Sequence, residues 1–327
     1  MTGLSDSFNR PINYMRISVT DRCNLRCIYC MPEEGICLND QKDMLSYEEI
    51  FTLARAAAAT GITKVRITGG EPLVRLGIVS LVEMLSKINE IDDLSLTTNG
   101  LLLRRYATGL KNAGLKRVNV SLDTLRENKF KTITRGQGLE DVLKGIEAAK
   151  EAGLLPVKIN VVVLRGINDD EILDFARKTL TSDWNVRFIE FMPFGSQQMD
   201  ENRLVTVTEI RERLATFGPL IPVTGTQGGG PAKYYRFSGG KGSIGFISPV
   251  TEHFCFSCNR LRLTSTGMLR PCLLDEYEIN LRDPLRRGVG LDELSGLIRD
   301  GAQCKPEGHR LAENIVPRDK FMTQVGG

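Results

Sequence analysis

The sequence predicts an α/β protein, an incomplete (βα)6 TIM-type barrel with a C-terminal extension. Three observations predict it. From residue 14 to about residue 192, short β-branched runs alternate with longer segments of helical period. Gly61, Gly114 and Gly153 stand where helical segments stop and the next strand begins. Several strand runs carry cations and hydroxyls on one face and aliphatic residues on the other.

The strands in order are "YMRISVT", "KVRITG", "LSLTTN", "KRVNVSLD", "PVKINVVVL" and "VRFIEFM". Between them lie helical segments such as "SYEEIFTLARAAAAT", "GIVSLVEMLSKINE", "LEDVLKGIEAAKEAG" and "DDEILDFARKTL". Strand–helix units in succession imply a parallel sheet with right-handed crossovers. Six of them close only partway around a barrel. Alternation places Arg16, Ser18 and Thr20 opposite Ile17 and Val19, and Lys64, Arg66 and Thr68 opposite Val65 and Ile67. Lys158 with Asn160, and Asn119 with Ser121 and Asp123, continue the polar face. A closed (βα)8 barrel fills its interior with Val, Ile and Leu. A polar, cationic interior points to a lumen open to an anionic ligand.

After residue 193 the rhythm changes. "FGSQQMDENRL" reads as a loop, "TVTEIRERLATFG" as a helix and "GTQGGGPAKYYRFSGGKGSIGFISPV" as short antiparallel strands. "RLRLTSTGMLRPC" reads as a hairpin turning at Ser265 to Gly267. The remainder is basic and loop-rich. The expected division is residues 1–225 for the partial barrel and 226–327 for the extension.

The 327 residues carry a formal net charge of only +3, which argues against nucleic-acid binding through bulk charge. "MTGLSDSFNRP" lacks the apolar core of a signal peptide, and no run reaches transmembrane length. A cytoplasmic protein is expected, with its eight cysteines reduced and available as ligands.

Six of those cysteines fall in two groups of three: Cys23, Cys27 and Cys30, then Cys255, Cys258 and Cys272. The first spacing, C-x3-C-x2-C, lets three thiolates converge from one loop. Three thiolates can hold a [4Fe–4S] cluster and leave one iron open to a small molecule. A zinc site completed by a distant ligand is the alternative, since closed zinc sites take four ligands. The chain has two histidines, His253 and His309, neither near the first group in sequence.

"CNLRCIYC" resembles the signature of radical S-adenosylmethionine enzymes, and "ITGGEPL" resembles their glycine-rich motif after the second strand. The second group, C-x2-C-x13-C around "NRLRLTSTGMLRPCL", resembles the C-terminal site of the GTP 3′,8-cyclase family of molybdenum cofactor biosynthesis. The resemblance runs from "RISVTDRCNLRC" through "LTTNG", "NVSLDT" and "IEFMP" to the terminal Gly-Gly. It implies two [4Fe–4S] clusters and S-adenosylmethionine as cofactors, with GTP as substrate. The first cluster, on Cys23, Cys27 and Cys30, would cleave S-adenosylmethionine to a 5′-deoxyadenosyl radical. Tyr29, Gly70, Ser121 and Met192 would contact that cofactor. The GTP site maps onto Arg16, Arg66, Thr97, Lys158, Arg260, Leu261 and Arg262, with Lys64 and Arg187 expected in the same basic lining. Cys255, Cys258 and Cys272 would hold a second cluster whose open iron takes the guanine edge. Arg260, Arg262 and the tail glycines Gly326 and Gly327 would assist catalysis. The radical would remove hydrogen from C3′ of the ribose, and C3′ would then bond to C8 of guanine. A low-potential electron donor, transfer of the product to cyclic pyranopterin monophosphate synthase, and a homodimer belong to the same expectation.

Two rivals stand beside it. A peptide-modifying maturase with an extra cluster would carry more C-terminal cysteines and would not need a cationic lumen. A zinc-stabilised nucleic-acid module conflicts with the charge and with the six-unit pattern. Cys37 and Cys304 read as small buried or incidental residues, Trp184 as packing and His253 as a loop residue. Glu71 is either structural or a ligand for the cofactor's amino group. The tail approach "MTQV" departs from the family's Met-x-x-Ile by a conservative change.

Overall fold

The computed structural model describes residues 3–194, 201–223, 229–313, 317 and 320–326. Six β–α units come first: β1 (Tyr14–Ser18), α1 (Tyr47–Ala59), β2 (Lys64–Thr68), α2 (Ile78–Ser86), β3 (Asp93–Thr98) and α3 (Leu103–Asn112) open the series. It continues with β4 (Arg117–Ser121), α4 (Glu127–Thr134), α5 (Leu139–Glu151), β5 (Lys158–Val163), α6 (Ile172–Thr181) and β6 (Asn185–Glu190). The extension adds α7 (Val207–Leu214), β7 (Leu220–Pro222), β8 (Lys233–Phe237), β9 (Ser243–Ile247), β10 (Arg260–Leu263) and β11 (Met268–Arg270). It ends with β12 (Ile279–Asn280), α8 (Arg282–Arg286), α9 (Leu291–Gln303) and α10 (Met322–Val325).

Local chemistry explains the units. At the start of α1, Ser46 accepts from the Glu49 N–H while Glu49 reaches back to the Ser46 N–H, a reciprocal capping box. Gly61, Gly114 and Gly153 end their helices with φ of +109°, +101° and +76°, a left-handed conformation that costs glycine little. On β1, β2 and β4 the outward Ile17, Val65, Ile67, Val118 and Val120 are fully buried against the helices. The inward set is polar, so the interior and the core lie on opposite faces of one sheet.

The sheet runs β12-β11-β10-β1-β2-β3-β4-β5-β6-β9-β8-β7. The hairpin of β10 and β11 forms where the sequence places it, with Gly267 at φ +83°. The sequence does not reveal that β10 also pairs in parallel with β1, nor that β9 pairs in parallel with β6. Two strands of the extension thus flank the six-stranded arc at its opposite edges, and the sheet runs on across residue 225. Alternation identifies a strand, but the edge it pairs with is a long-range choice.

The closing third is also less loop-rich than expected. Leu294, Ile298 and Ala302 line the buried face of α9, and Ser295 Oγ donates to the Ala56 carbonyl of α1 at 3.0 Å. Gly296 and Gly301 dilute the helical signal in sequence. Gly301 is required by packing, since a Cβ there would overlap Leu269 of β11. Among the described residues no helix is long and apolar enough to cross a membrane.

Candidate active site

The inward faces and the loops after the strands surround one cavity of about 360 Å3. Both cysteine triads line it. The first triad sits on the loop after β1, which the glycine-rich segment after β2 holds in place. Gly70 N–H donates to Thr20 O at 2.7 Å and Glu71 N–H to Arg22 O at 2.8 Å. A Cβ on Gly70 would overlap the Arg22 carbonyl, so glycine is required for this approach.

Glu71, left open by the sequence, is a clamp. Its Oε1 accepts from Leu73 N at 2.9 Å and Thr98 Oγ1 at 2.8 Å, and its Oε2 from Asn99 N at 2.7 Å. Burial pushes this carboxyl up to about 7 against those three bonds. Asp123 takes the Tyr29 hydroxyl at 2.6 Å and the Val162 N–H at 2.8 Å, and burial pushes it up to about 6. Tyr29 is thereby fixed over the cysteine loop.

Burial raises the thiols of this triad. Cys23 is pushed up, Cys27 well up with help from Cys30 and Asp123, and Cys30 up to about 12. A positive centre held by these three sulfurs would favour their thiolate forms against that burial. The second triad lies across the cavity, with Cys255 and Cys258 on a short turn and Cys272 just past β11. Burial pushes Cys258 up, but Arg260 and Lys305 outweigh it and bring the thiol down to about 6. Neither triad has a fourth cysteine. Among the described residues no three His, Cys, Asp or Glu side chains gather about a single-ion site. Each triad offers the three thiolates that a cluster with one open iron takes, whereas a closed zinc site takes four ligands.

Arg16, Arg66, Arg187, Arg260 and Arg262 line the space between the triads. Burial, then Arg262, lowers Arg16 well below its ordinary value; burial lowers Arg66 to about 10 and Arg262 to about 9. Arg187 Nε and Nη2 are buried with no hydrogen-bond partner among the described residues, as is Asn160 Oδ1. Buried donors without acceptors, on cations that repel each other, make a site built for a polyanion.

Most of the sequence-predicted residues meet here. Tyr29, Gly70, Thr97, Ser121 and Met192 line the cavity with the arginines. Met192 lies past the end of β6, where strand alternation no longer decides which way it faces. Three assignments change. Leu261 faces the opposite way from Arg260 and Arg262 and is fully buried in the core. Lys64 is not in the lining; it opens β2, and its ammonium lies against Gly229. Lys158 is buried and not among the lining residues, with its ammonium 5.1 Å from the Tyr234 ring centroid. Burial, then Arg187, Arg117 and Arg66, brings it down to about 7.

Gly326 reaches the same region. Its carbonyl accepts from Arg16 Nε at 3.2 Å and Arg262 Nη1 at 3.4 Å. Thr323 lines the cavity together with Cys30. Gly327 lies outside the described residues. Cys37 and Cys304 are both exposed, and Trp184 is buried packing. His253 stays out of the lining but meets His309 edge-on, with ring centroids 5.5 Å apart. The sequence reading missed His309 and Lys305, because neither sits on a strand whose parity would reveal it.

The Radical SAM superfamily matches residues 17–179 and Molybdenum Cofactor Synthesis C matches residues 184–311. The GTP 3′,8-cyclase of Pelotomaculum thermopropionicum is 52% identical, covering 99% of this chain and 100% of its own. That of Thermodesulfovibrio yellowstonii is 51% identical with the same coverage. Among solved structures, Streptococcus suis SuiB bound to S-adenosylmethionine superposes with a TM-score of 0.58 at 17% identity. It covers 94% of this chain and 76% of SuiB, a likeness of fold.

Proposed function

The chain belongs to the GTP 3′,8-cyclase family of radical S-adenosylmethionine enzymes, and from that premise we propose how its residues divide the work. The reaction joins C3′ of the GTP ribose to C8 of its guanine and gives 3′,8-cyclo-7,8-dihydro-GTP, for molybdenum cofactor biosynthesis. The observation that carries the assignment is the single cavity, which both cysteine triads and five arginines line.

Cys23, Cys27 and Cys30 would hold a [4Fe–4S] cluster that binds S-adenosylmethionine. Cys255, Cys258 and Cys272 would hold a second, which binds the guanine of the substrate. When bound, the first cluster and S-adenosylmethionine supply the radical that takes hydrogen from C3′. Tyr29, Gly70, Ser121 and Met192 surround that cofactor, and Asp123 fixes the Tyr29 ring. Arg66 and Arg187 meet the triphosphate, while Arg16, Arg260 and Arg262 orient the nucleoside end. Closure of the tail over the cavity excludes water from the reacting carbons. The electron comes from a low-potential donor, and cyclic pyranopterin monophosphate synthase consumes the product.

Anaerobic incubation with GTP, S-adenosylmethionine and a low-potential reductant should yield the 3′,8-cyclised nucleotide and 5′-deoxyadenosine. Iron content should approach roughly eight per chain, as two such clusters require. Cys27→Ser should abolish cofactor cleavage, whereas Cys258→Ser should lose cyclisation and retain some uncoupled cleavage. Normal cyclisation by Cys258→Ser would remove the substrate role of the second triad.

A further inference from the structure

Lys305 stands two residues past α9 and is 3% exposed. Its Nζ donates to the Arg260 carbonyl at 2.9 Å and the Pro271 carbonyl at 2.6 Å, with Cys258 and Cys272 close enough to act on its charge. Both bonded partners are carbonyl oxygens, which only accept, so the amine stands there as a donor. Arg260 follows Cys258 by two residues and Pro271 precedes Cys272, so one cation ties together both arms of the second triad. Arg260 adds a second positive charge beside Cys258.

The first triad has a different electrostatic setting. Asp123 faces Cys27 and Cys30, and Glu71 faces Cys23. The cation nearby, Arg26, gives its Nη1 to the carbonyls of Cys23 and Leu25. Acids dominate one triad and cations the other.

We propose that Lys305 is a positioning residue that sets the reduction potential of the second cluster and, with Arg260, holds it above that of the first. The inference rests on the reading that Cys255, Cys258 and Cys272 carry a [4Fe–4S] cluster. Reduction adds one electron, supplied by the external low-potential donor, and no bond forms or breaks. A fixed cation beside the ligand sulfurs stabilises the more negative, reduced form. An electron shared between the clusters then settles on the substrate side, and the first cluster remains the stronger reductant.

The test uses the full chain with Cys23, Cys27 and Cys30 replaced by Ala, so that only the second cluster assembles, followed by paramagnetic resonance during a redox titration. Lys305→Gln should lower the midpoint by at least a tenfold change in the reduction equilibrium, about 59 mV for one electron. Lys305→Arg should stay near the parent. Iron bound in Lys305→Gln with an unmoved midpoint overturns the inference alone. No iron on the second triad of the parent overturns the cluster reading together with the inference. Should Lys305→Gln lose its iron, the unsubstituted enzyme decides: its second cluster should reduce at a higher potential than its first, and the reverse order overturns the inference.

Discussion

Arg187 holds two buried nitrogens with no acceptor among the described residues, and Arg66 has given one N–H to Ser95 Oγ at 3.2 Å. Side chains in this state gain more from an incoming phosphate than solvated ones, because their desolvation has already been incurred in folding. Arg66→Ala and Arg187→Ala should each weaken GTP binding by about 1.5–3 kcal/mol, the range for a charge-assisted bond in a dry site. Titration calorimetry under anaerobic conditions reads this directly, and guanosine should bind poorly to the parent. Equal affinities for guanosine and GTP would take the triphosphate away from these residues. Lys158 makes a second residue-level prediction. Its folded value of about 7 lies below its ordinary 10.5, so between those limits the unfolded chain binds more protons. Stability of the GTP-free protein should therefore rise as pH climbs from about 7, and the penalty of burying the charge is complete below it. Lys158→Met should flatten that part of the melting-temperature profile relative to the parent; parallel profiles would mean that Lys158 titrates normally.

Among the elements, the turn after β2 shows how one buried carboxylate can hold a site. Glu71 joins its own turn to the end of β3 through Thr98 and Asn99, and its backbone N–H carries the cysteine loop at Arg22. Glu71→Gln places an amide N–H2 where an oxygen now accepts, facing a main-chain donor. The expected cost is about 1–3 kcal/mol. Hydrogen exchange should quicken at Leu73 and Asn99 while amides of the distant α9 keep their protection. Unchanged exchange at both positions would show that the clamp is dispensable. On the other side of the barrel, α9 has no ligand of its own and acts by placement. Packed on α1 and β11, it delivers Lys305 to the second triad.

The whole molecule brings the chain's end back to its beginning. Gly326 adopts φ +80°, and a Cβ there would lie 2.9 Å from Thr68 Oγ1. Its carbonyl joins Arg16 to Arg262 across the edge where β10 meets β1. Deleting Gly326 and Gly327 should leave fold and iron content intact and remove most cyclisation, since those two arginines lose a shared acceptor. A peptide ending in Gly-Gly should restore part of it, and Gly326→Ala should also lower turnover, by at least the roughly 1 kcal/mol that a left-handed φ costs a residue with a Cβ. Product formation by the truncated enzyme at the parent rate would make the tail incidental. What the sequence by itself determined is everything with a local period or spacing: six strand–helix units, the inward parity of Arg16 and Arg66, and two cysteine triads. Pleating fixes parity within a few residues, and three thiols within one loop need no distant partner. Tertiary structure alone decided that β9 and β10 take opposite edges of the arc, so that the second triad faces the first. It also left Lys64 outside the lining, and placed Lys305 and Gly326. Those placements join residues far apart in the chain, Arg16 with Gly326 across 310 positions, and they follow from which surfaces bury each other, which no local pattern records.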